Sequence, residues 1–200
     1  MDLLHFRLAK RTMRTVPEHL CSQTWEVGVV VEQARKLIVV RPGEGESIPP
    51  TTGLGFDFKI WGHQTGGRLA VLEHPIEPRR LVPPHVHLME DEVSYVLEGT
   101  VGVRVGDEIA LAEQGTYVYK PVGVPHTFWN PTDQPARLLE IICPAGFENY
   151  FVEISNGFAA GMKPGSPEHE AISARYHEEH FYDWVPELKE RYGLKLLGEP

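Results

Sequence analysis

Apolar and polar positions follow little pattern over residues 1–35, where Val27–Val31 is the one strand-like run. From Lys36 the pattern tightens. Leu37–Val40 reads as a strand stopped by Arg41-Pro42-Gly43, and residues 44–54, with Gly45, Pro49, Pro50 and Gly53, read as loop. Short β-prone runs then recur at 55–61, 67–74, 85–89, 93–98, 101–105, 108–112, 116–120, 126–129 and 136–143. Gly106-Asp107 joins two of them as a two-residue hairpin turn. Many short strands with regular turns specify a sandwich or barrel. After Pro144 the period lengthens: Phe147, Tyr150, Phe151 and Ile154 predict a helix over 147–158. Ser166-Pro167 supplies the cap and first-turn proline of a second helix running toward Tyr176. Pro186–Tyr192, closed by Gly193, predicts a third. The expected organisation is an irregular extension over 1–35, an all-β domain over 36–144 and a helical C-terminal tail over 145–200.

Composition narrows the function classes. A chain of 200 residues with 42% hydrophobic and 10% aromatic residues can build a core and is not a disordered segment. No apolar run reaches the roughly 18 residues of a membrane helix, so no membrane partner is expected. A net charge of -9, with no helix-turn-helix pattern and no basic face, argues against nucleic acid. The first sixteen residues are locally basic, with Arg7, Lys10, Arg11 and Arg14 against Asp2. They lack both the serine enrichment of a transit peptide and the unbroken apolar stretch of a secretory signal, and read as a frayed or surface-docked extension. Cys21 and Cys143 form neither a CxxC nor a disulfide framework; buried, reduced thiols in a cytoplasmic protein are expected.

The chemistry concentrates in the 10 histidines. His85-Val86-His87 puts two imidazoles on one face of a strand. Glu92 opens the next β run, and a short turn returns it to the same interior. His126 begins a later strand, after the Pro121–Pro125 corner. Three imidazoles and one carboxylate suit a divalent first-row metal ion (Fe, Mn, Ni, Co, Cu or Zn), with one or two positions left for water or substrate. The remaining histidines read more plainly: His5 and His19 in the extension, His63 and His74 near strand ends at the pocket rim, His169, His177 and His180 on solvated helix surface.

His85-x-His87-x4-Glu92-x6-Gly99 matches the first cupin motif, and Gly115-x5-Pro121-x-Gly123-x2-His126-x3-Asn130 matches the second. One position departs: the glycine expected six residues before the first histidine is Arg79, which puts the local backbone shape in question but not the ligation. The chain thus resembles the cupins, and its core is similar to single-domain microbial cupins of the quercetin 2,3-dioxygenase-like kind. The resemblance implies a double-stranded β-helix, or jelly-roll barrel, with the metal held inside by His85, His87, Glu92 and His126. In such enzymes the ligand glutamate also accepts the substrate's proton, which makes Glu92 the candidate catalytic base.

Strand alternation places Ser94, Val96 and Phe128 beside the metal; Tyr117 and Tyr119 share a face that either lines the pocket or packs on a second layer. Phe56, Phe58 and Ile60 read as a core stripe. Three functions remain open. They are a dioxygenase acting on a small phenolic or enolisable substrate with dioxygen, a non-redox isomerase, decarboxylase or lyase, and a non-catalytic small-molecule-binding cupin. Tyr95 and Leu97, facing away from the metal, suit a homodimer contact; the alternative is a monomer whose C-terminal helices cover that sheet.

Overall fold

A computed structural model describes residues 36–50 and 52–200. The readings on Val27–Val31, Cys21, His5, His19 and the basic start lie outside the described residues.

In chain order the elements are β1 (Glu46–Ile48), β2 (Phe56–Ile60), α1 (Gly62–Thr65), β3 (Ala70–Ile76), β4 (Arg80–Leu81), β5 (His85–His87), β6 (Asp91–Glu98), β7 (Thr100–Val105), β8 (Glu108–Glu113), β9 (Tyr117–Lys120), β10 (His126–Trp129) and β11 (Ala136–Cys143). The C-terminal part adds α2 (Glu148–Ala159), α3 (Pro167–Arg175), β12 (Glu178–His180), α4 (Val185–Tyr192) and β13 (Lys195–Leu196). One sheet runs β1-β2-β3-β11-β6-β9. The second runs β12-β5-β10-β4-β13, with β7 and β8 joined through β10. This is the jelly-roll architecture, an all-β barrel of two sheets.

Period-2 alternation decides what each strand buries. Along β3, Ala70, Leu72, His74 and Ile76 point inward; along β11, Ala136, Leu138, Glu140 and Ile142 do so. Phe56 and Phe58 are buried on β2, as the core stripe required. At the β7–β8 hairpin Gly106 takes φ +55 in the turn that brings Val105 opposite Glu108. A Cβ on Gly102 would lie 2.0 Å from the Trp129 ring, so the missing side chain is what lets the fully buried indole pack against β7.

Three differences from the sequence pattern have physical reasons. Leu37–Val40 forms no strand; Leu37 is 90% exposed and pairs with no sheet. The stretch expected as loop contains β1, which pairs with β2. Residues 145–200 carry two strands besides their helices. Glu178–His180 pairs antiparallel with His85–His87, and Lys195–Leu196 pairs parallel with β4. Such short runs, rich in Glu, His and Lys, hold no alternation from which a strand could be recognised. Helix α4 packs Leu188 with Leu81, Trp129 and Leu194 in a second small core.

Arg79 holds the glycine's conformation, with φ +59. A left-handed residue bearing a Cβ costs about 1–2 kcal/mol. Its guanidinium offsets this through a two-pronged pair with Asp133 at 2.8 and 3.0 Å, and by donating to the carbonyls of Pro131 and Tyr192. The backbone shape that the departure put in doubt is retained.

Candidate metal centre

Strand pairing assembles the site from three segments. His126 on β10 lies opposite His85 on β5, and His87 lies two residues further along the same face. Glu92 enters from β6 in the other sheet, so the four groups meet across the barrel. All four are buried, and their ligand atoms lie within 4.8 Å of one another. The ring centroids of His85 stand 4.5 Å from His126 and 4.9 Å from His87.

Hydrogen bonds set which ring nitrogens face inward. His85 Nδ1 lies 2.7 Å from the Pro83 carbonyl, and His126 Nδ1 lies 3.0 Å from that of Val124. A carbonyl only accepts, so both Nδ1 atoms carry a proton, which leaves the two Nε2 atoms as the candidate ligand atoms. His126 Nε2 is buried without a hydrogen-bond partner, 3.3 Å from Glu92 Oε2. Among the described residues nothing satisfies that nitrogen, and a cation shared with Glu92 would do so. Burial lowers His85 far below its ordinary value and His87 to about 4, so these rings are neutral, as ligation requires. The residues present therefore fit a divalent cation.

Glu92 is held ionised. Burial alone would raise its pKa, but the Lys120 ammonium, 2.8 Å from Oε2, and His87 keep it well below the carboxylate range. The same ammonium is 2.8 Å from Glu140, whose carboxylate also accepts the Ser94 hydroxyl at 3.0 and 3.1 Å. One lysine thus serves two carboxylates. Burial drives Glu140 upward, while the same carboxylates hold Lys120 above its ordinary value against the opposing effect of burial.

The pocket beside the cluster encloses about 670 Å³, part of it open to solvent. Phe56, Phe128 and Phe151 wall it around His74, whose Nδ1 is tied to the Gly55 carbonyl at 3.1 Å. Burial pushes His74 down to about 4. Like Phe151, much of the remaining lining comes from the C-terminal segment: Phe147, which precedes α2, Tyr150 of α2, His169 of α3, and Glu178 and His180 of β12.

The expected pocket residues divide. Phe128 lines the cavity; Ser94 and Val96 point inward but sit behind it, Ser94 bound to Glu140 and Val96 in the core. Tyr117 and Tyr119 are corrected: they are 73% and 58% exposed on the outer face. The reason is register. Glu92 stands opposite Lys120 and Ser94 opposite Val118, so Val118 and Lys120 take the inward positions of β9. Lys120 went unrecognised because a lone lysine in Tyr-Val-Tyr-Lys carries no sign of being buried. His169 and His180 are likewise corrected. Neither is on solvated helix surface: His169 is 3% exposed and the His180 side chain 4%. His74 is buried in the cavity wall rather than at its rim; His63 is exposed on α1 and does not line the pocket, and His177 is exposed in the turn between α3 and β12 rather than on a helix. Cys143 is exposed, not buried, because it falls on the outward parity at the end of β11.

A second group, His169, Glu170 and His180, also brings its ligand atoms within 4.8 Å. Three of its four histidine nitrogens are already engaged. His169 Nδ1 accepts from the Gly165 amide at 3.0 Å, His169 Nε2 meets the Tyr150 hydroxyl at 3.0 Å, and His180 Nδ1 lies 3.3 Å from Glu170. This is a hydrogen-bonded wall, unlike the cluster in the barrel.

Residues 73–142 match the family model of the cupin domain, a span that contains all four candidate ligands and both motifs. The barrel segment that holds the candidate site is thus similar to the cupin domain. Among curated proteins it is 30% identical over 88 residues to the xanthan biosynthesis protein XanB of Xanthomonas campestris pv. campestris, covering 42% of this chain and 19% of that one. The chain therefore spans about a fifth of that relative. Solved structures similar to it include TT1209 from Thermus thermophilus, at 38% identity and TM-score 0.38 over 39% of this chain and 74% of that one. KdgF from Halomonas sp. matches at 13% identity and TM-score 0.49, over 56% and 99% respectively.

Proposed function

We propose that this chain is a metal-dependent dioxygenase acting on a small phenolic or enolisable substrate. The observation that carries the reading is the buried His85–His87–Glu92–His126 cluster, with an unpartnered ring nitrogen, beside an aromatic-walled pocket. A divalent transition-metal ion held by these four residues would supply Lewis-acid polarisation of a substrate oxygen and, if redox-active, electron exchange with dioxygen. The protein contributes the rest. Phe56, Phe128 and Phe151 bind a flat apolar body and keep water from it. Glu92 accepts the substrate's hydroxyl proton. Because Lys120 holds that carboxylate low, only a hydroxyl already acidified at the metal can protonate it.

One observation favours a second reading, a non-redox isomerase, decarboxylase or lyase. Lys120 joins Glu92 to Glu140 in a buried relay that could move a proton without any oxidant. The test loads the protein separately with Fe(II) and Zn(II) and offers quercetin as the phenolic probe in an oxygen electrode. Oxygen uptake with iron that disappears in His126→Ala supports the dioxygenase. Substrate conversion by the zinc form without oxygen favours the second reading. Ligand-induced thermal stabilisation without turnover in either form would leave a binding protein. A cytoplasmic homodimer, contacting through the outer face with Tyr95, Leu97, Tyr117 and Tyr119, is also proposed. Sedimentation at dimer mass, lost on Tyr117→Glu, would support it.

A further inference from the structure

The cavity has two polar poles, and only one of them is the candidate metal cluster. The other belongs to the C-terminal segment. Because β12 pairs with β5 in register, Glu178 stands opposite His87 and His180 opposite His85, while Glu179 points out. Both inward side chains line the cavity, and the His180 ring lies 6.2 Å from that of His85.

Glu178 is 5% exposed, and among the described residues its Oε2 has no hydrogen-bond partner. The nearest cationic candidate, His180 Nε2, is 3.7 Å away, beyond hydrogen-bond range. A buried acceptor left unmatched is costly, and more so when it is charged. Tyr150, His169 and Ser173 are meanwhile bonded among themselves. The bare Glu178 oxygen therefore stands outside that network, in the wall of the same cavity.

We propose that Glu178 Oε2 is a ligand-binding acceptor. Its ligand is a neutral molecule with a flat apolar body that rests against Phe147 and Phe151 and donates a hydroxyl proton to this oxygen. The inference rests on the reading of the cavity as a small-molecule site and adds a second anchor, away from the metal ligands. A neutral donor fits better than an ammonium, because Lys120 and a divalent ion at the barrel cluster already supply positive charge at the other pole. The ring walls fit an aromatic body through edge and face contacts.

The test compares phenol, anisole and benzylamine, the first with a neutral donor, the second without one and the third cationic. Binding is read by calorimetry on the zinc-loaded and the metal-stripped full-length protein, with metal content measured in parallel. Wild type should bind phenol about tenfold more tightly than anisole, the ratio set by one buried hydrogen bond. The preference should persist without metal, which separates this anchor from phenol bound at the metal cluster. Glu178→Met should lose the preference to within about twofold, keep its metal, and melt no lower than wild type, since it removes an unmatched buried acceptor. Glu178→Gln, which keeps the shape and one acceptor, should show an intermediate ratio.

A phenol preference that survives in Glu178→Met overturns the proposal, as does its absence from wild type or a tighter grip on benzylamine. Loss of metal from Glu178→Met would also overturn it, by making the residue a support of the metal cluster. Failure of wild type to load metal, with the phenol preference intact, would instead sink the metal-centre reading alone.

Discussion

The two poles of the cavity contain similar residues and are built in opposite ways. In the barrel, His85, His87, Glu92 and His126 sit on strands whose register fixes them, and a ring nitrogen is left without a partner. In the C-terminal wall, Tyr150, His169, Glu170 and His180 satisfy each other through hydrogen bonds, and the unmatched atom is a carboxylate oxygen. A site with bare nitrogen lone pairs calls for a cation; a site with a bare carboxylate oxygen calls for a proton donor. Residue type alone does not separate the two. The atom left unpartnered does.

The contrast can be broken most severely at the barrel pole. His87→Ala should remove a ligand, and metal affinity should fall by more than the ten- to hundredfold expected of an outer-shell change, taking any metal-dependent activity with it. Equilibrium dialysis with Zn(II) checks this. Next in size is Lys120→Met, which leaves Glu92 and Glu140 without their shared ammonium. Removing one side of a buried ion pair costs about 3–5 kcal/mol. Denaturant unfolding should show that loss at pH 8 and a smaller one at pH 5, because Glu140, already pushed upward by burial, can take a proton.

His74 gives a smaller effect with a definite sign. Its folded pKa of about 4 lies below the ordinary 6.5, so the unfolded chain binds the proton more readily. Its contribution to stability is present above about pH 6.5 and is lost as the pH falls toward 4. Between pH 7 and pH 5 the loss is about 2 kcal/mol, and His74→Phe should lessen the acid sensitivity of the denaturation midpoint by that amount. The smallest effect is expected at Arg79→Gly. Relief of the left-handed backbone and loss of the pair with the exposed Asp133 act in opposite directions, so the melting temperature should barely move. A thermal melt checks it.

The barrel pole was legible because its residues recur at strand spacing between turn signals: His-x-His is a face, and a glutamate just past a turn returns to it. Nine β-prone runs and three helices were legible for the same reason. The C-terminal wall was not, since Glu178-Glu179-His180 has no apolar alternation and becomes a strand only through pairing with β5. Tyr117 and Tyr119 misled because tyrosine suits either face of a half-buried strand, and only the register of β9 against β6 decides between them. Lys120 was hidden because its burial depends on two carboxylates brought from β6 and β11.

The difference between the poles is tested most directly by metal content, measured by mass spectrometry on wild type, His126→Ala and His169→Ala purified alike. The barrel cluster alone should hold metal, giving about one ion per chain in wild type and in His169→Ala and almost none in His126→Ala. Metal retained in His126→Ala, or lost from His169→Ala, would contradict the account.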